Sequence, residues 1–393
     1  MIENGENRLI YMDHAGTTPM HPEVLSAMKP YFIERFGNPS SIHYVGREAR
    51  GALEDARGRV AALIGARHDE IVFTAGGTEA DNAAIRGVAL ACENRGKHVI
   101  TSAVEHHAVL DVCEFLARRG WKITVLPVDG DGLVDPGDVE KAVTKETTLV
   151  TIMHANNEIG TVQPIEEIGR IARERGVFFH TDAVQTAGVL TLNVAEMNID
   201  LLSISAHKIY GPKGVGALYV RSGVKFSPLL FGGGQERKRR SGTENVPGIV
   251  GFGKTAELAA KERQQRVNHL LPLRERLKNG IFERIDDVTL NGHPEKRLPN
   301  NVNVCIKYVE GESMLLMLDM LGVAASSGSA CTSGSLDPSH VLLAIGVPAE
   351  VAHGSLRFTL GRMNTLEHVE FVLEELPKIV DRLRKMSPVA PRR

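Results

Sequence analysis

The chain has 393 residues, more than one simple core accommodates, so a large unit with a smaller companion is expected. Its 42% hydrophobic and 24% charged residues describe an ordinary globular protein, and a net charge of −2 excludes a nucleic acid held by bulk electrostatics. The four cysteines (Cys92, Cys113, Cys305 and Cys331) stand far apart without a CxxC, the fifteen histidines form no HExxH, and no apolar stretch is of membrane-spanning length. These absences argue against a disulfide framework, a metal site and a membrane protein. With no secretory pattern in the first ten residues, they point to a reducing, cytoplasmic compartment.

In chain order, the first helical face falls at 44–64, where Val45, Ala49, Leu53, Ala56, Val60 and Leu63 align. Seven short apolar runs follow: IVF at 71, VI at 99, ITVL at 123, LVTIM at 149, VFF at 177, LLSI at 201 and ALYV at 217. The first six recur every 24 to 28 residues, and segments such as 79–95 and 163–175 can form helices between them. Apolar strands alternating with helices predict an α/β fold with a mostly parallel sheet covered on both faces. Residues 205–216, SAHKIYGPKGVG, carry too much Gly and Pro for a crossover helix, so the seventh strand is expected to run antiparallel.

After residue 243 the alternation stops. A long helix to about residue 279, strands at 301–306 and 355–360, a helix over ESMLLMLDML and an amphipathic final helix predict a smaller α+β unit. The expected division is residues 16–261 for the large unit, and 1–15 with 262–393 for the small one.

Polar residues collect after the predicted strands. IVFT is followed by Gly76, Gly77 and Thr78, VITS by Glu105 and His106, and VTIM by His154, Asn156 and Asn157. VFFH leads to Asp182 and Gln185, and LLSI to Ser205, His207 and Lys208. In an open α/β sheet the carboxyl ends of parallel strands share one rim, where ligands bind. The glycine turn before a helix start suits a phosphate, although a tight turn with Thr78 as a simple cap fits the same spacing. Lys208 is placed to form an imine, and the bland alternative is an exposed loop lysine. Asp182 suits a protonated ring nitrogen or a helix cap, and His106 suits stacking on a flat ring or an ordinary buried polar role. Together, the phosphate cradle, lysine, aspartate and histidine specify pyridoxal phosphate better than any other cofactor.

These residues resemble a known family. SAHKIYGPKGVGALYV is similar to the cofactor-lysine segment of cysteine desulfurases, within the class V aminotransferase group of pyridoxal phosphate enzymes. GNPSSIH (37–43), TEADN (78–82), HANNEIGTVQPI (154–165), HTDAVQTAG (180–188), GGGQE with RSGT (232–243) and SSGSACTSGS also match, in register over nearly the whole chain. The length of the cysteine segment is similar to the NifS/IscS-like branch.

The resemblance implies a fold-type-I transferase with a seven-stranded sheet in its large domain. It implies that Lys208 carries pyridoxal 5'-phosphate and acts as the proton-transfer base. Asp182 would meet the ring nitrogen, Gln185 the phenolic oxygen, and His106 the ring face. Gly77, Thr78, Ser205 and His207 would hold the phosphate, with Thr243 arriving from the other subunit of a homodimer. Asn157 would bind cofactor and substrate, sharing the substrate carboxylate with Arg357. Cys331 would be the nucleophile, taking sulfur from L-cysteine as a persulfide, leaving L-alanine, and passing the sulfur to an iron–sulfur scaffold or another acceptor protein. This chain departs from the usual pattern at Gly77, in DHAGTT and in the basic run Arg237 to Arg240, which reads as a solvated face or a docking site.

Cys331 lies in ASSGSACTSGS (325–335), among residues too small to pack a core around it. A thiol that attacks substrate sulfur and then carries it away needs freedom, which Gly328, Gly334 and the serines would provide. With an ordinary pKa of about 8.5, such a thiol is mostly protonated at neutrality and needs a nearby base, for which His106 is a candidate. Asp337 and Pro338 are expected to start the next helix. Other readings are a transaminase, a kynureninase-like C–C lyase, a selenocysteine lyase, a nucleotide-binding protein using GPKGVG as a phosphate loop, and a non-catalytic sulfur-trafficking scaffold.

Overall fold

The structure is a computed structural model that describes residues 3–4, 7–327 and 338–388. Cys331, Gly328, Gly334 and Asp337 lie outside them. All seven apolar runs are strands of one sheet: β1 Ile71–Thr74, β2 His98–Ser102, β3 Lys122–Leu126, β4 Thr147–Thr151, β5 Phe178–Asp182, β6 Leu201–Ser205 and β7 Gly216–Val220. The spatial order is β1-β7-β6-β5-β4-β2-β3. Neighbours are parallel except at β7, which runs antiparallel to both β6 and β1. The expectation drawn from the Gly- and Pro-rich segment before β7 therefore holds.

Helices cover both faces, which is why β1, β2, β4, β6 and β7 are buried along their whole lengths. One core joins the sheet to helices Tyr44–Leu63, Ile165–Glu174 and the start of Val246–Arg284 through Leu53, Val60, Ile168, Phe179, Ile204 and Phe252. The opposite core joins it to helices Gly77–Ala91 and His107–Ala117 through Ile85, Val88, Val112, Leu116 and Leu149. The long helix crosses Tyr44–Leu63 so closely that a Cβ on Gly253 would stand 2.6 Å from Ala56 Cα.

The second half of Val246–Arg284 enters a separate core. There Val288–Leu290, Asn301–Ile306 and Ser355–Thr359 form an antiparallel sheet. Helices Gly311–Met320 and Leu366–Met386 pack against it through Met314, Leu318, Val372 and Leu376. The amino-terminal segment belongs to this core as well: Ile10–Tyr11 pairs in parallel with Val323–Ala324, and Ile10 and Met12 are fully buried.

The helix expected from Asp337 and Pro338 begins later, as His340–Ala344, with Ser339 as its N-cap. The Ser339 hydroxyl accepts the N–H groups of Val341 and Leu342 at 3.2 Å each, so Pro338, expected as the first helical residue, precedes the cap instead.

The edge strand β1 is sealed by a buried ion pair. Glu236 receives Arg57 through two bonds of 2.7 and 2.8 Å and also accepts the Phe73 N–H at 2.9 Å, while Arg57 donates to the Ile71 carbonyl at 2.9 Å. The side chains thus satisfy backbone groups that an open edge would leave unpaired. Glu236, Arg237 and Lys238 adopt left-handed backbone angles (φ 47°, 57° and 65°) to make this contact. Within the basic run, Arg237 donates to the Asp69 carbonyl at 2.8 Å and Arg240 pairs with Glu79 at 2.8 Å, so both serve the fold.

Glu236→Ala strands the Arg57 charge in the interior. The expected loss is about 3–5 kcal/mol, read as a lower denaturant midpoint, and larger than that of the double replacement Arg57→Met with Glu236→Ala. Equal losses from the single and double variants would contradict the ion-pair account.

Candidate active site

Strands β2, β4, β5 and β6 run parallel, so their carboxyl ends open on one rim. β1 ends at Thr74 and the chain passes through Gly76 into helix Gly77–Ala91. A cleft of about 790 Å³ at this helix start is lined by Gly77, Thr78, Ser205 and His207, together with Gly16 and Thr17. The backbone approach is close: a Cβ at 77 would stand 2.8 Å from Val184 Cγ2, and one at 216 would stand 2.7 Å from the Gly76 carbonyl carbon. The Ser205 hydroxyl is buried and has no hydrogen-bond partner among the described residues. His207 Nδ1 lies 3.1 Å from Thr17 Oγ1, and burial, with Lys208 and Lys213 adding to it, pushes the imidazole down to about 4.

Lys208 ends a short turn, Ala206–Lys208, and Tyr210 follows with φ 72°. That left-handed residue is held by Thr18, whose hydroxyl accepts the Tyr210 N–H at 2.7 Å. The Lys208 amine donates to the carbonyls of Ala15 and Gly16, the latter at 2.7 Å. Gln185 Nε2 reaches the same Ala15 carbonyl at 3.1 Å. Lys208 and Gln185 share a second cavity of about 330 Å³ with His14 and Tyr210.

Asp182 ends β5 and is 8% exposed. Burial pushes its carboxyl up; the Val184 N–H, 2.8 Å from Oδ1, and the nearby His106 and Lys208 pull the other way without offsetting it. His106 caps helix His107–Ala117, its Nδ1 accepting the Ala108 N–H at 3.0 Å, so the proton of the neutral ring sits on Nε2. Burial lowers the pKa of this imidazole, with Asp182 opposing the shift.

Arg357 is 3% exposed and doubly held: Nη2 pairs with Asp13 Oδ1 at 2.8 Å and Nη1 donates to the Asn157 carbonyl at 3.0 Å. Its Nε is buried with no partner among the described residues. The structure therefore gathers Gly77, Thr78, Ser205 and His207 in one cleft, Lys208 with Gln185 beside it, Asp182 near His106 and Lys208, and Asn157 against Arg357. Thr243 is exposed and lines neither cleft.

Sequence reasoning missed Asp13, which sets Arg357, and the Ala15 and Gly16 carbonyls, which hold Lys208; their only signal is the DHAGTT motif itself. It also passed over the work of Glu105. This carboxyl is 1% exposed, accepts the Ser102 hydroxyl at 2.6 Å and the Met153 N–H at 2.9 Å, and so ties the end of β2 to that of β4 beside His106.

An orphan buried hydroxyl at a helix start and a buried carboxylate short of counter-charge fit a phosphorylated cofactor with a cationic ring, as pyridoxal phosphate is. Fold and site together define a fold-type-I pyridoxal-phosphate-dependent enzyme. The family model for class V aminotransferases matches residues 10–372. The chain is 57% identical to a cysteine desulfurase IscS of Dictyoglomus turgidum over 97% of each chain. It is 56% identical to one of Methanosarcina thermophila, over 98% of this chain and 96% of that one. Among solved structures, a NifS-like protein superposes with a TM-score of 0.90 at 38% identity, covering 95% of this chain and all of that one. A NifS-like protein from Rickettsia africae gives 0.87 at 32% identity, over 95% of this chain and 100% of that one. The chain belongs to the class V aminotransferase family and, within it, to the cysteine desulfurases.

Burial pushes the Glu105 carboxyl from 4.5 up to about 8, with Asp182 adding to the effect. The folded state then holds an extra proton between these values, so this contribution is complete below about pH 4.5 and is lost as pH rises through about 8. Glu105→Gln keeps an acceptor but has no proton to lose. Its thermal midpoint is expected to fall less than the wild type's between about pH 5 and about pH 8.5. Parallel midpoint curves would contradict a protonated Glu105.

Proposed function

We propose that the chain is a pyridoxal-phosphate-dependent cysteine desulfurase that converts L-cysteine to L-alanine and retains the sulfur as a persulfide on Cys331. The observation that carries this reading is the attachment of the cysteine segment to the rim. Ser326 pairs with Arg357 through backbone bonds of 3.1 and 2.6 Å, and Ser339 donates to Glu158 at 2.5 Å. Cys331 is five residues beyond Ser326 in the sequence, a reach of up to about 17 Å, enough to bring its sulfur to a substrate held by Arg357.

Bound pyridoxal phosphate supplies the electron sink that labilises the substrate's Cα proton and then its Cβ–S bond. The protein's own groups do the rest. Gly77, Thr78, Ser205 and His207 cradle the phosphate at the helix start. Asp182 would give a buried counter-charge to the ring nitrogen, Gln185 would meet the phenolic oxygen, and His106 would lie against the ring face. Asn157 and Arg357 orient the substrate carboxylate, and Asp13 and the Asn157 carbonyl keep the guanidinium in place. The Lys208 amine holds the cofactor, is released when substrate arrives, and moves the Cα proton. The Cys331 thiolate bonds to the substrate sulfur, the Cβ–S bond breaks, and Cβ takes up a proton to become the alanine methyl. The products are L-alanine and Cys331–S–SH, which balances one L-cysteine and one thiol.

The reading extends to the assembly. Thr243, exposed in its own subunit, completes the phosphate site of a second copy in a homodimer, and the enzyme works in the cytoplasm. Residues 16–261 form the cofactor domain; 1–15 with 262–393 form the domain that carries the cysteine. The persulfide then passes to an iron–sulfur scaffold or another acceptor protein.

Cys331→Ser is expected to keep the yellow absorbance of the loaded enzyme while losing alanine formation from L-cysteine by more than about a hundredfold. Lys208→Ala should lose both. Alanine production by the Cys331→Ser protein at the wild-type rate would refute the nucleophile assignment.

A further inference from the structure

Glu158 follows Asn157 and is 6% exposed. Its Oε2 accepts the Ser339 hydroxyl at 2.5 Å, and the same hydroxyl oxygen caps helix His340–Ala344. Its backbone carbonyl accepts the side-chain amides of Asn301 and Asn303 at 3.0 Å each, and Asn303 is the register partner of Arg357. Its own N–H donates to Asn156 Oδ1 at 2.8 Å. On the other side, Ser326 is fixed to the Arg357 backbone and Arg357 to the Asn157 carbonyl. The points from which the chain leaves for Cys331 and returns from it are thus both referred to one dipeptide, Asn157–Glu158.

Stability alone gives no reason for an acid here. A serine N-cap works by accepting N–H groups; because Ser339 is only 5% exposed its own proton needs a protein acceptor, but a neutral amide oxygen would serve for stability as well as a carboxyl. Burying a carboxyl to receive that proton costs free energy, and burial pushes Glu158 from 4.5 up to about 7 despite the opposing pull of Ser339 and Arg357. What the contact provides is a fixed direction and position for the cap, referred to the residues beside the substrate carboxylate.

We propose that Glu158 is a positioning residue for the sulfur nucleophile: its bond to Ser339 sets the point on the rim from which the chain delivers Cys331 to the substrate. The inference rests on the desulfurase reading above. Cys331 is eight residues from Ser339 in the sequence, and displacement of that fixed point lowers the fraction of approaches that align the thiolate with the substrate sulfur. Substrate binding itself depends on Asn157 and Arg357, and these keep their own partners when the Ser339 bond is lost.

The test compares Glu158→Gln, Glu158→Ala, Ser339→Ala and the double alanine variant, all loaded with cofactor. Persulfide formation at Cys331 is followed in a single turnover by mass, and L-alanine binding by titrating the cofactor absorbance. Glu158→Ala and Ser339→Ala are each expected to slow persulfide formation roughly 10- to 100-fold with L-alanine affinity within about twofold of wild type. The double variant should be no slower than either single one, because both remove the same bond. Glu158→Gln, whose amide oxygen still accepts the hydroxyl, should recover most of the rate. Wild-type rates in both single variants would overturn the proposal. So would losses that multiply in the double variant, or losses matched by equally weakened L-alanine binding. A wild-type enzyme that forms alanine with no persulfide on Cys331 would sink the desulfurase reading, and this inference with it.

Discussion

Asp182 stands at the carboxyl end of β5, the middle strand of the sheet, and the enclosure of its carboxyl is the constraint around which the site is arranged. A carboxylate so buried needs a cation close by, or it takes up a proton. Among the described residues His106 and the Lys208 amine lie near enough to help, and they do not offset the penalty of burial. A cofactor with a protonated ring nitrogen does. The parallel order of β2, β4, β5 and β6 places every other polar group on the same rim, so one buried charge fixes where the ring must lie and the strand ends determine what surrounds it.

The Lys208 amine is held by a segment far from it in sequence. Ala15 and Gly16 present their carbonyls to Lys208, while Asp13, two residues before Ala15, holds Arg357. The amino-terminal segment is itself locked into the second core through Ile10 and Met12. Lys208, proposed to carry the cofactor, and Arg357, proposed to meet the substrate, are therefore positioned by one short stretch of backbone. A shift of the second core against the sheet would move both, which couples the two halves of the molecule more tightly than the single long helix between them would suggest.

Much of this was legible in the sequence because burial on two faces writes continuous apolar runs, and all seven runs became strands. The antiparallel direction of β7 was legible from the missing crossover helix. The rim residues could be read for the same reason, since they follow the strands directly. What could not be read depends on contacts between distant segments. Arg57 sits among charged residues on a helix and looks solvated, yet it is buried because Glu236 arrives from a left-handed turn 179 residues away. The basic run reads as an exposed charge block, and Arg237 and Lys238 are indeed exposed, but the ion pair of half-buried Arg240 with Glu79 and the Arg237 bond to the Asp69 carbonyl were not legible. Asp337 and Pro338 carry a strong helix-start signal, but the helix begins at His340 with Ser339 as its N-cap, and the buried acid that receives the Ser339 hydroxyl is invisible in local sequence.

The most direct test of the central claim is covalent. Reduction of the loaded enzyme with borohydride, followed by peptide mapping, locates the lysine bound to the cofactor. A reduced-cofactor adduct confined to Lys208, and a weaker hold on the cofactor after Asp182→Ala, is the expected result. An adduct on Lys213 or another lysine, or a cofactor held equally well without the Asp182 carboxylate, would contradict the arrangement described.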